Sequence, residues 1–399
     1  MEDSISLPVF PVVASVVFAF ISYVSTYTLI PQLKDMFLKA NLCGIDLNKK
    51  TKVKIPEALG VVCGCTFLMN VLIFLPLPFG NYLTTRANFP YKDLIEMLAA
   101  LLSVCCMLLL GFTDDVLDLR WRHKLIMPSI ASLPLLIVYY VNSNSTTIII
   151  PKPVREYLGY SLDLGVLYYV YMGLLAVFLT NTINIYAGVN GLEVGQSLVI
   201  GVSIIIFNIT EILISKDPNI INNHIFSLYL IIPFVATSYA LYQHNKYPAQ
   251  VFVGDTYCYF AGMTFAVVAI LGHFSKTMIL FFIPQVFNFV YAIPQLFRIV
   301  PCPRHRIPIL GKDCLEVSYA EFDLLPSNNQ MVLTVMTTLG IAKATRKKCN
   351  NLTLINLYLL FSGPLPENKL VNRLLMLQIY CSILAFVIRY PVACIFYDS

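Results

Sequence analysis

The feature that most constrains this chain is a series of ten long apolar stretches separated by more polar segments. A helix needs about 20 apolar residues to cross a bilayer, and these stretches have that length rather than the alternating pattern of barrel strands. Only 12% of the residues are charged, whereas soluble domains carry about a quarter. The sequence therefore predicts an all-α polytopic membrane protein with about ten transmembrane helices. The predicted spans are 8–33, 58–79, 93–113, 125–142, 164–184, 196–214, 223–243, 251–271, 277–297 and 374–396.

The positive charge is distributed unevenly between the two sets of loops. Of the 27 lysine and arginine residues, 20 fall in alternate loops on one side. The positive-inside rule makes this side cytosolic, so both termini are predicted to be lumenal. The sequon at Asn144 then faces the lumen, where glycosylation is possible, whereas the sequon at Asn351 faces the cytosol. The predicted cytosolic loops are 34–57, 114–124, 185–195, 244–250 and 298–373.

Three parts of the chain are predicted from this pattern. Residues 1–297 carry nine transmembrane helices with cytosolic active-site loops between them. Residues 298–373 form a cytosolic loop with a small mixed α/β lobe, because 332–341 is rich in β-branched residues and 352–361 is apolar and amphipathic. Residues 374–399 form the tenth helix and a lumenal C-terminus.

An acidic pair ends the third span. Asp114 and Asp115 are followed ten and nine residues later by Lys124. Neighbouring residues on a helix point about 100° apart, so the two carboxylates suit separate tasks rather than one shared ion. A lysine at this position meets a phosphate as a point charge. Alone, the pattern also fits a solvated acidic pair with a lysine that reaches the headgroups, and Trp121 fits an interfacial aromatic belt.

Amide and carboxylate side chains also stand at the ends of the fifth and eighth spans. Asn181 and Asn184 are three residues apart and share a helix face, and Asp255 opens the eighth span. Magnesium takes one or two protein oxygens and keeps the rest of its shell for water and phosphate, so Asn184 and Asp255 predict a minimal magnesium site. Gly188 permits close backbone approach to a ligand. The alternative for 181–193 is a helix C-cap and turn.

Two more segments lie on the same predicted face. Arg304, His305 and Arg306 stand between prolines after the ninth span, and arginine recognises phosphate with two parallel hydrogen bonds. Alone, this segment also fits the general positive charge of cytosolic loops. Phe252 shares a helix face with Asp255 and is suited to stack on a base. The loop 42–57 is polar, and the residues alone assign it no purpose.

The meeting of these segments at one membrane face predicts a metal-dependent phosphoryl-transfer site with one water-borne and one lipid-borne substrate. A nucleic-acid partner is not expected. The alternative is a transporter for a nucleotide sugar or a lipid phosphate. A transporter places polar groups near the bilayer midplane and has broken or repeated helices. The spans here are nearly free of charge, with Glu96 and Glu211 as the main exceptions.

Four motifs together carry a resemblance to a known family. They are GFTDDVLDLRWRHK at 111–124, NTINIYAGVNGLE at 181–193, FVGDT at 252–256 and PCPRHRIP at 301–308. The chain resembles the polyprenyl-phosphate N-acetylhexosamine-1-phosphate transferases over almost its whole length. Bacterial members that act on UDP-MurNAc-pentapeptide carry a histidine-rich motif in place of Arg-His-Arg. That difference and the additional segment 309–370 favour the eukaryotic branch over a bacterial-type undecaprenyl-phosphate transferase.

The resemblance implies roles for particular residues at the reacting phosphates. One member of the aspartate pair is implied to deprotonate the lipid phosphate, and the lysine faces the phosphates. The residues implied for catalysis are Asp114, Asp115, Lys124 and Asn181. The residues implied to hold Mg²⁺ are Asn184 and Asp255.

The resemblance also divides the substrate-binding residues between the parts of UDP-N-acetylglucosamine. Arg304 is implied to hold the diphosphate. The residues implied to enclose the sugar are Trp121, His305 and Arg306. The residues implied to receive the uridine are Asp46, Leu47, Gly188, Asn190 and Phe252, with Glu57 close by.

The activity that the resemblance implies is transfer of N-acetylglucosamine-1-phosphate from UDP-N-acetylglucosamine to dolichyl phosphate, with release of UMP. This reaction is the first step of lipid-linked oligosaccharide synthesis for N-glycosylation. The implied setting is the endoplasmic reticulum membrane, with the active site on the cytosolic face. A homodimer is also implied.

Overall fold

The structure is a computed structural model that describes residues 9–85, 89–142, 146–322, 327–345 and 347–397. The sequon at Asn144 lies outside these residues. The helices α1 to α17 are, in chain order, Val9–Lys39, Gly60–Phe74, Gly80–Thr85, Tyr91–Leu117, Trp121–Ala131, Leu133–Asn142, Arg155–Leu158, Val166–Ile185, Leu192–Ile214, Pro218–Asn245, Gly254–Leu271, Ser275–Phe281, Ile283–Leu296, Ser327–Thr338, Leu354–Ser362, Glu367–Val387 and Ala393–Phe396.

Short strands form four separate antiparallel pairs in the described part of the chain. The first pair joins the segments on either side of the loop 46–53, with Cys43 opposite Pro56. A 3₁₀ turn covers Lys152–Val154, and a π-helical stretch covers Ile388–Val392. The strands β1 to β8 are Cys43–Ile45, Lys54–Pro56, Thr147–Ile149, Ser161–Asp163, Ile309–Leu310, Leu315–Glu316, Tyr319–Glu321 and Lys348–Asn350.

The prediction of an all-α polytopic membrane protein is confirmed. Within the described ranges, eight helical segments are long and apolar enough to cross a membrane. The consecutive helices α5 and α6 together provide one of them. The pair α12 and α13, bent by 73°, is a ninth candidate. The remaining predicted stretch, 58–79, contains only the 15-residue helix α2.

Several helix boundaries differ from the predicted spans, and three of them illustrate the physical reasons. Helix α1 continues to Lys39 rather than ending at 33, because helical backbone hydrogen bonds persist where the chain leaves the apolar region. Helix α16 begins at Glu367 rather than at 374, directly after Pro366, which fixes a backbone angle suited to a helix start. Helix α2 ends at Phe74, just before two prolines that cannot donate backbone hydrogen bonds.

Helix α11 is the centre of the bundle, and every residue from Thr256 to Leu271 is buried. It packs against α2, α4, α8 and α10. Glycines allow this density: a methyl group at Gly262 would overlap the backbone of α8 at Leu179 and Thr180. Small residues at helix crossings are the usual way for membrane helices to approach closely. The position of the N-terminus of α11 is therefore fixed by its neighbours.

The segment between α13 and α16 contains α14, α15 and the strands β5 to β8. Its apolar residues Leu333, Leu352 and Ile355 belong to a buried cluster that continues into the bundle at Leu192 and Leu374. Polar contacts tie it to α13: the Tyr291 hydroxyl donates to the Ile341 carbonyl over 2.6 Å. We refer to residues 298–366 as the lobe. It covers one end of the bundle beside the loops that carry the polar motifs.

We predict that Gly262→Ala destabilises the protein by about 1–3 kcal/mol, because the added methyl group forces α8 and α11 apart. Thermal unfolding in detergent measures this effect. Gly173→Ala in α8 is the matched control, since the nearest atom to its new methyl group is a Leu136 methyl carbon at 3.7 Å. Equal stability of the two variants would contradict the close packing at Gly262.

Candidate active site

The ends of α4, α8 and α11 meet beside the start of α5. Lys124 lies at the centre of this meeting, with its Nζ 2.9 Å from Oδ2 of Asp114 and 2.8 Å from Oδ2 of Asp255. The lysine side chain is 21% exposed and Asp255 is 22% exposed, whereas the Asp114 side chain is fully buried. Three charges that are separated by up to 141 positions in sequence therefore form one compact ionic cluster.

The carboxylate of Asp115, a residue of α4, lies at the N-terminus of α11. Its Oδ1 accepts from the backbone N–H of Asp255 over 2.7 Å, and its Oδ2 accepts from the N–H of Thr256 over 3.0 Å. The Thr256 hydroxyl also donates to Oδ2. A carboxylate at this position satisfies unpaired N–H groups and complements the positive end of the helix dipole. Asp115 thus orients Asp255, and both its oxygens are already engaged.

Asp114 accepts two further hydrogen bonds besides its contact with Lys124. Its Oδ2 accepts from the Tyr259 hydroxyl over 3.0 Å, and its Oδ1 accepts from the Leu119 N–H over 3.1 Å. Tyr259 was not among the predicted site residues. The available signal was its spacing of four residues from Asp255, which places both on one face of α11.

The two predicted asparagines of α8 have different partners. Asn184 donates from Nδ2 to Oδ1 of Asp255 over 2.6 Å. Asn181 donates to the Val177 carbonyl over 2.9 Å and more weakly to the Lys124 carbonyl over 3.4 Å. Asn184 therefore belongs to the carboxylate cluster, while Asn181 connects α8 to the start of α5.

A polar cavity of about 280 Å³ opens beside this cluster. Its lining joins residues from four loops: the one before β2, the one between α8 and α9, the one before α11 and the one after α13. Nine of the predicted residues line it: Asp46, Leu47, Glu57, Asn184, Gly188, Asn190, Phe252, Asp255 and His305. Lining residues that were not predicted include Asn48, Glu193, Asn245 and Cys258.

The loop between α8 and α9 shapes one wall of the cavity. Gly188 has φ +113°, and a methyl group there would collide with Ile307 of the lobe. Its N–H donates to Oε1 of Glu193 over 3.0 Å, and its carbonyl accepts from Nδ2 of Asn48 over 3.1 Å. Asn190 donates from Nδ2 to Oδ2 of Asp46 over 3.1 Å. The glycine is required here because both its conformation and its contact exclude a side chain.

Glu57 and Phe252 also line the cavity, and Phe252 precedes α11 rather than sharing a helix face with Asp255 as predicted. The backbone N–H of Phe252 donates to the Pro56 carbonyl over 2.8 Å, which joins the segment before α11 to the end of β2. Burial raises the pKa of the Glu57 carboxyl above its usual value, and the negative charge of Asp255 raises it further. Glu57 is therefore more easily protonated than an exposed glutamate, which suits a hydrogen-bonding role.

The three residues of the Arg-His-Arg segment are placed differently. His305 lines the cavity. Arg304 is 82% exposed, and its guanidinium lies 3.7 Å from the Asp118 carboxylate, outside the cavity lining. Arg306 is partly buried, which lowers the pKa of its guanidinium, and its backbone carbonyl accepts from Asn356 over 2.8 Å. The side chain of Trp121 lies outside the described part of the structure.

An apolar groove of about 560 Å³ is lined by residues of α5, α6 and α8. Its lining begins at Leu125, the residue after the lysine, and includes Val177, whose carbonyl accepts from Asn181. Ile126, Ile130, Leu133 and Leu174 in the lining are each between 48% and 63% exposed. The groove therefore faces outward from the bundle. One end of it meets the ionic cluster.

Known proteins are similar in sequence to this chain over nearly its full length. The chain matches the sequence profile of glycosyl transferase family 4 over residues 97–273. It is 45% identical over 400 residues to the UDP-N-acetylglucosamine–dolichyl-phosphate N-acetylglucosaminephosphotransferase of Dictyostelium discoideum, covering 95% of this chain and 89% of the relative. The enzymes of that name from Schizosaccharomyces pombe and Saccharomyces cerevisiae are 41% and 40% identical, with 98% and 96% of this chain and 94% and 92% of the relatives covered.

The chain belongs to this family of N-acetylglucosaminephosphotransferases. The predicted resemblance is therefore confirmed. The profile match begins in α4 and ends after α11, so it contains the ionic cluster and the loop between α8 and α9. The chain is a multi-pass membrane protein in which Lys124 pairs with Asp255 of the polar cavity and precedes Leu125 of the apolar groove.

We predict that Asp115→Ala destabilises the protein by about 3 kcal/mol, because it leaves two backbone N–H groups at the start of α11 without their acceptor. Asp255→Ala is the matched comparison and is expected to cost less, since Asp114 still neutralises Lys124. Thermal unfolding of both variants in detergent gives the measurement. A larger loss for Asp255→Ala would refute the capping role of Asp115.

Proposed function

We propose that this protein transfers N-acetylglucosamine-1-phosphate from UDP-N-acetylglucosamine to dolichyl phosphate, giving N-acetylglucosaminyl-diphosphodolichol and UMP. The observation that carries the proposal is the placement of Lys124 between a polar cavity and an outward-facing apolar groove. A site with this arrangement suits one soluble and one lipid substrate whose phosphates meet at the lysine. The names of the relatives supply the identities of both substrates.

The cavity fits the nucleotide sugar. Phe252 offers a ring for the base, and Asn190 and Asp46, which also line the cavity, offer polar groups. The backbone of Gly188 allows close approach of the ligand. His305 lines the cavity and is placed for the sugar, whereas Arg304 has to leave its exposed pair with Asp118 to reach the diphosphate. That exchange costs little, since exposed ion pairs contribute about 0–1 kcal/mol.

The groove fits the isoprenoid chain of the acceptor. Apart from Ser129 its lining is aliphatic, and it begins one residue after Lys124. Apolar burial along such a groove stabilises a bound chain by about 0.8 kcal/mol per CH₂ group. The acceptor phosphate is then held at the bundle end, where Lys124 supplies a positive charge. Hydrocarbon thus remains in contact with the bilayer while the phosphate stays in a polar environment.

The residues at the centre of the site suit Mg²⁺. Asn184 and Asp255 offer one amide and one carboxylate oxygen beside the cavity, and magnesium commonly takes only one or two protein ligands. Among the described residues no cluster of three or more His, Cys, Asp or Glu side chains is placed to enclose a metal. Turning the Asn184 amide by half a turn presents its oxygen in place of Nδ2. When bound, Mg²⁺ would reduce the repulsion between the two anionic substrates.

The proposed reaction requires no covalent bond between the protein and either substrate. An oxygen of dolichyl phosphate forms a bond to the β-phosphorus of UDP-N-acetylglucosamine, and the bond from that phosphorus to the bridging oxygen breaks as UMP leaves. The attacking oxygen is already anionic, so a strong base is unnecessary. Lys124 holds phosphate charge, Asp114 keeps the lysine oriented, and Asp115 fixes Asp255. Positioning and charge neutralisation are the main contributions in phosphoryl transfer.

The cellular setting is part of the proposal. We place the protein in the endoplasmic reticulum membrane with the active site on the cytosolic face and both termini in the lumen. The excess of lysine and arginine in the loops beside the site supports this orientation. The homodimer stays a prediction.

We expect the purified protein to release UMP from UDP-N-acetylglucosamine only when dolichyl phosphate and Mg²⁺ are both present. Asp255→Ala is expected to lower the rate by about 100-fold or more, because it removes a preorganised charge at the reacting phosphates. Asp313→Ala, which removes an 86% exposed carboxylate of the lobe, is the control and keeps the normal rate. UMP release without the lipid acceptor would indicate a hydrolase, and an absence of release would reject the proposal.

The orientation in the membrane has its own test. Lys347 is exposed in the lobe, and a cysteine introduced there is expected to react with a membrane-impermeant maleimide from the cytosolic side of sealed microsomes. Native cysteines that react under the same conditions are accounted for by labelling the unmodified chain. Protection of the introduced cysteine until the membranes are opened would reverse the proposed topology.

A further inference from the structure

A buried ionic network joins the uridine end of the cavity to the first turn of α16. The carboxylate of Glu367 accepts from the backbone N–H of Asn190 through Oε1 over 2.8 Å. Its Oε2 forms an ion pair with Nζ of Lys49. The Glu367 side chain is only 3% exposed, so both of its oxygens are engaged inside the protein.

Lys49 and Asp46 complete the network. Nζ of Lys49 lies 3.6 Å from Oδ2 of Asp46 and 4.2 Å from the centre of the Tyr247 ring. The same Oδ2 accepts from the side-chain amide of Asn190 over 3.1 Å. Asn190 is thus held twice, by Glu367 at its backbone and by Asp46 at its side chain. Asp46 in turn is held by the lysine.

Burying the charges of this network costs free energy, which indicates that the network orients other residues rather than only stabilising the fold. Moving two charges out of water costs several kcal/mol each, and an apolar replacement of similar volume is often as stable. Stability alone therefore does not require these charges. Their hydrogen bonds are directional, however, and they fix the orientation of Asn190 and Asp46, which line the cavity. Lys49 and Glu367 themselves line a separate space of about 290 Å³ on the far side of Asn48.

We propose that Lys49 and Glu367 are positioning residues for uridine binding, acting through Asp46 and Asn190 without touching the nucleotide. The inference rests on the proposed function, in which those two residues receive the uridine. It makes the first turn of the last long helix, 177 positions from Asn190, a part of the nucleotide site.

Lys49→Met and Glu367→Gln test the proposal. Lys49→Met is expected to raise the KM for UDP-N-acetylglucosamine and the Kd of UDP by about tenfold, the effect of losing one well-placed hydrogen bond to the ligand. Glu367→Gln is expected to have a smaller effect, because its amide oxygen still accepts from the Asn190 N–H. The rate at saturating UDP-N-acetylglucosamine and the KM for dolichyl phosphate stay within twofold of the wild type.

A matched pair provides the control. Lys50 and Asp313 form an ion pair of 2.8 Å at the same neighbouring space, but they are 68% and 86% exposed and do not contact Asn190. Lys50→Met and Asp313→Ala are expected to leave the Kd of UDP unchanged. The double variant Lys49→Met/Glu367→Gln is expected to bind UDP no more weakly than the weaker single variant, because the two residues act as one unit.

The outcomes separate the inference from the proposed function. Wild-type protein that binds no UDP would reject both. Wild-type protein that binds UDP, together with a Lys49→Met variant of the same affinity, would overturn the inference alone. A fall in the saturated rate with unchanged KM would also overturn it, since that result marks loss of active protein. If Lys49→Met does not fold, Glu367→Gln, which preserves side-chain size, becomes the test: a weaker affinity for UDP supports the inference, and an unchanged Kd of UDP overturns it.

Discussion

The contact between the Asp115 carboxylate and the start of α11 is the interaction on which the rest of the site depends. It joins the end of one membrane helix to the beginning of another, and it thereby sets where Asp255 stands relative to Asp114 and Lys124. The dense packing of α11 makes this joint rigid, because the helix has no room to shift along its neighbours. A precise site at the membrane edge therefore follows from close packing within the bundle.

Helical spans were predictable because a backbone in lipid must satisfy its hydrogen bonds internally, and a helix does so within one segment. The length of each apolar stretch therefore indicates a spanning helix directly. Helix ends were less predictable, since they depend on prolines and on packing beyond the apolar region, as at Phe74 and Glu367. Many candidate site residues do gather at one cavity. The hydrogen bonds that Asp115, Tyr259 and Glu367 make with the site could not be predicted. Each of them joins residues more than 100 positions apart in sequence, and no local pattern indicates such a pair.

The lobe and the last long helix contribute to the site from outside the central bundle. Ile307 closes against Gly188, His305 reaches the cavity, and Glu367 holds Asn190. The match to the profile of glycosyl transferase family 4 ends at residue 273, so Ile307, His305 and Glu367 all lie outside it. The segments after α11 thus complete a centre whose charged core is built from α4, α5, α8 and α11. Positioning within the cavity is shared between the two parts.

The outward-facing groove along α5 and α8 has a consequence for how an acceptor reaches the site. A chain lying in it remains continuous with the surrounding hydrocarbon, because several lining residues are more than half exposed. The acceptor then reaches the site by lateral diffusion within the bilayer. Its relevant concentration is its mole fraction among the lipids. Diluting the bilayer with other lipid slows such an encounter, whereas diluting the aqueous suspension does not. The rate therefore depends on the aqueous concentration of the soluble substrate and on the mole fraction of the lipid substrate in the bilayer.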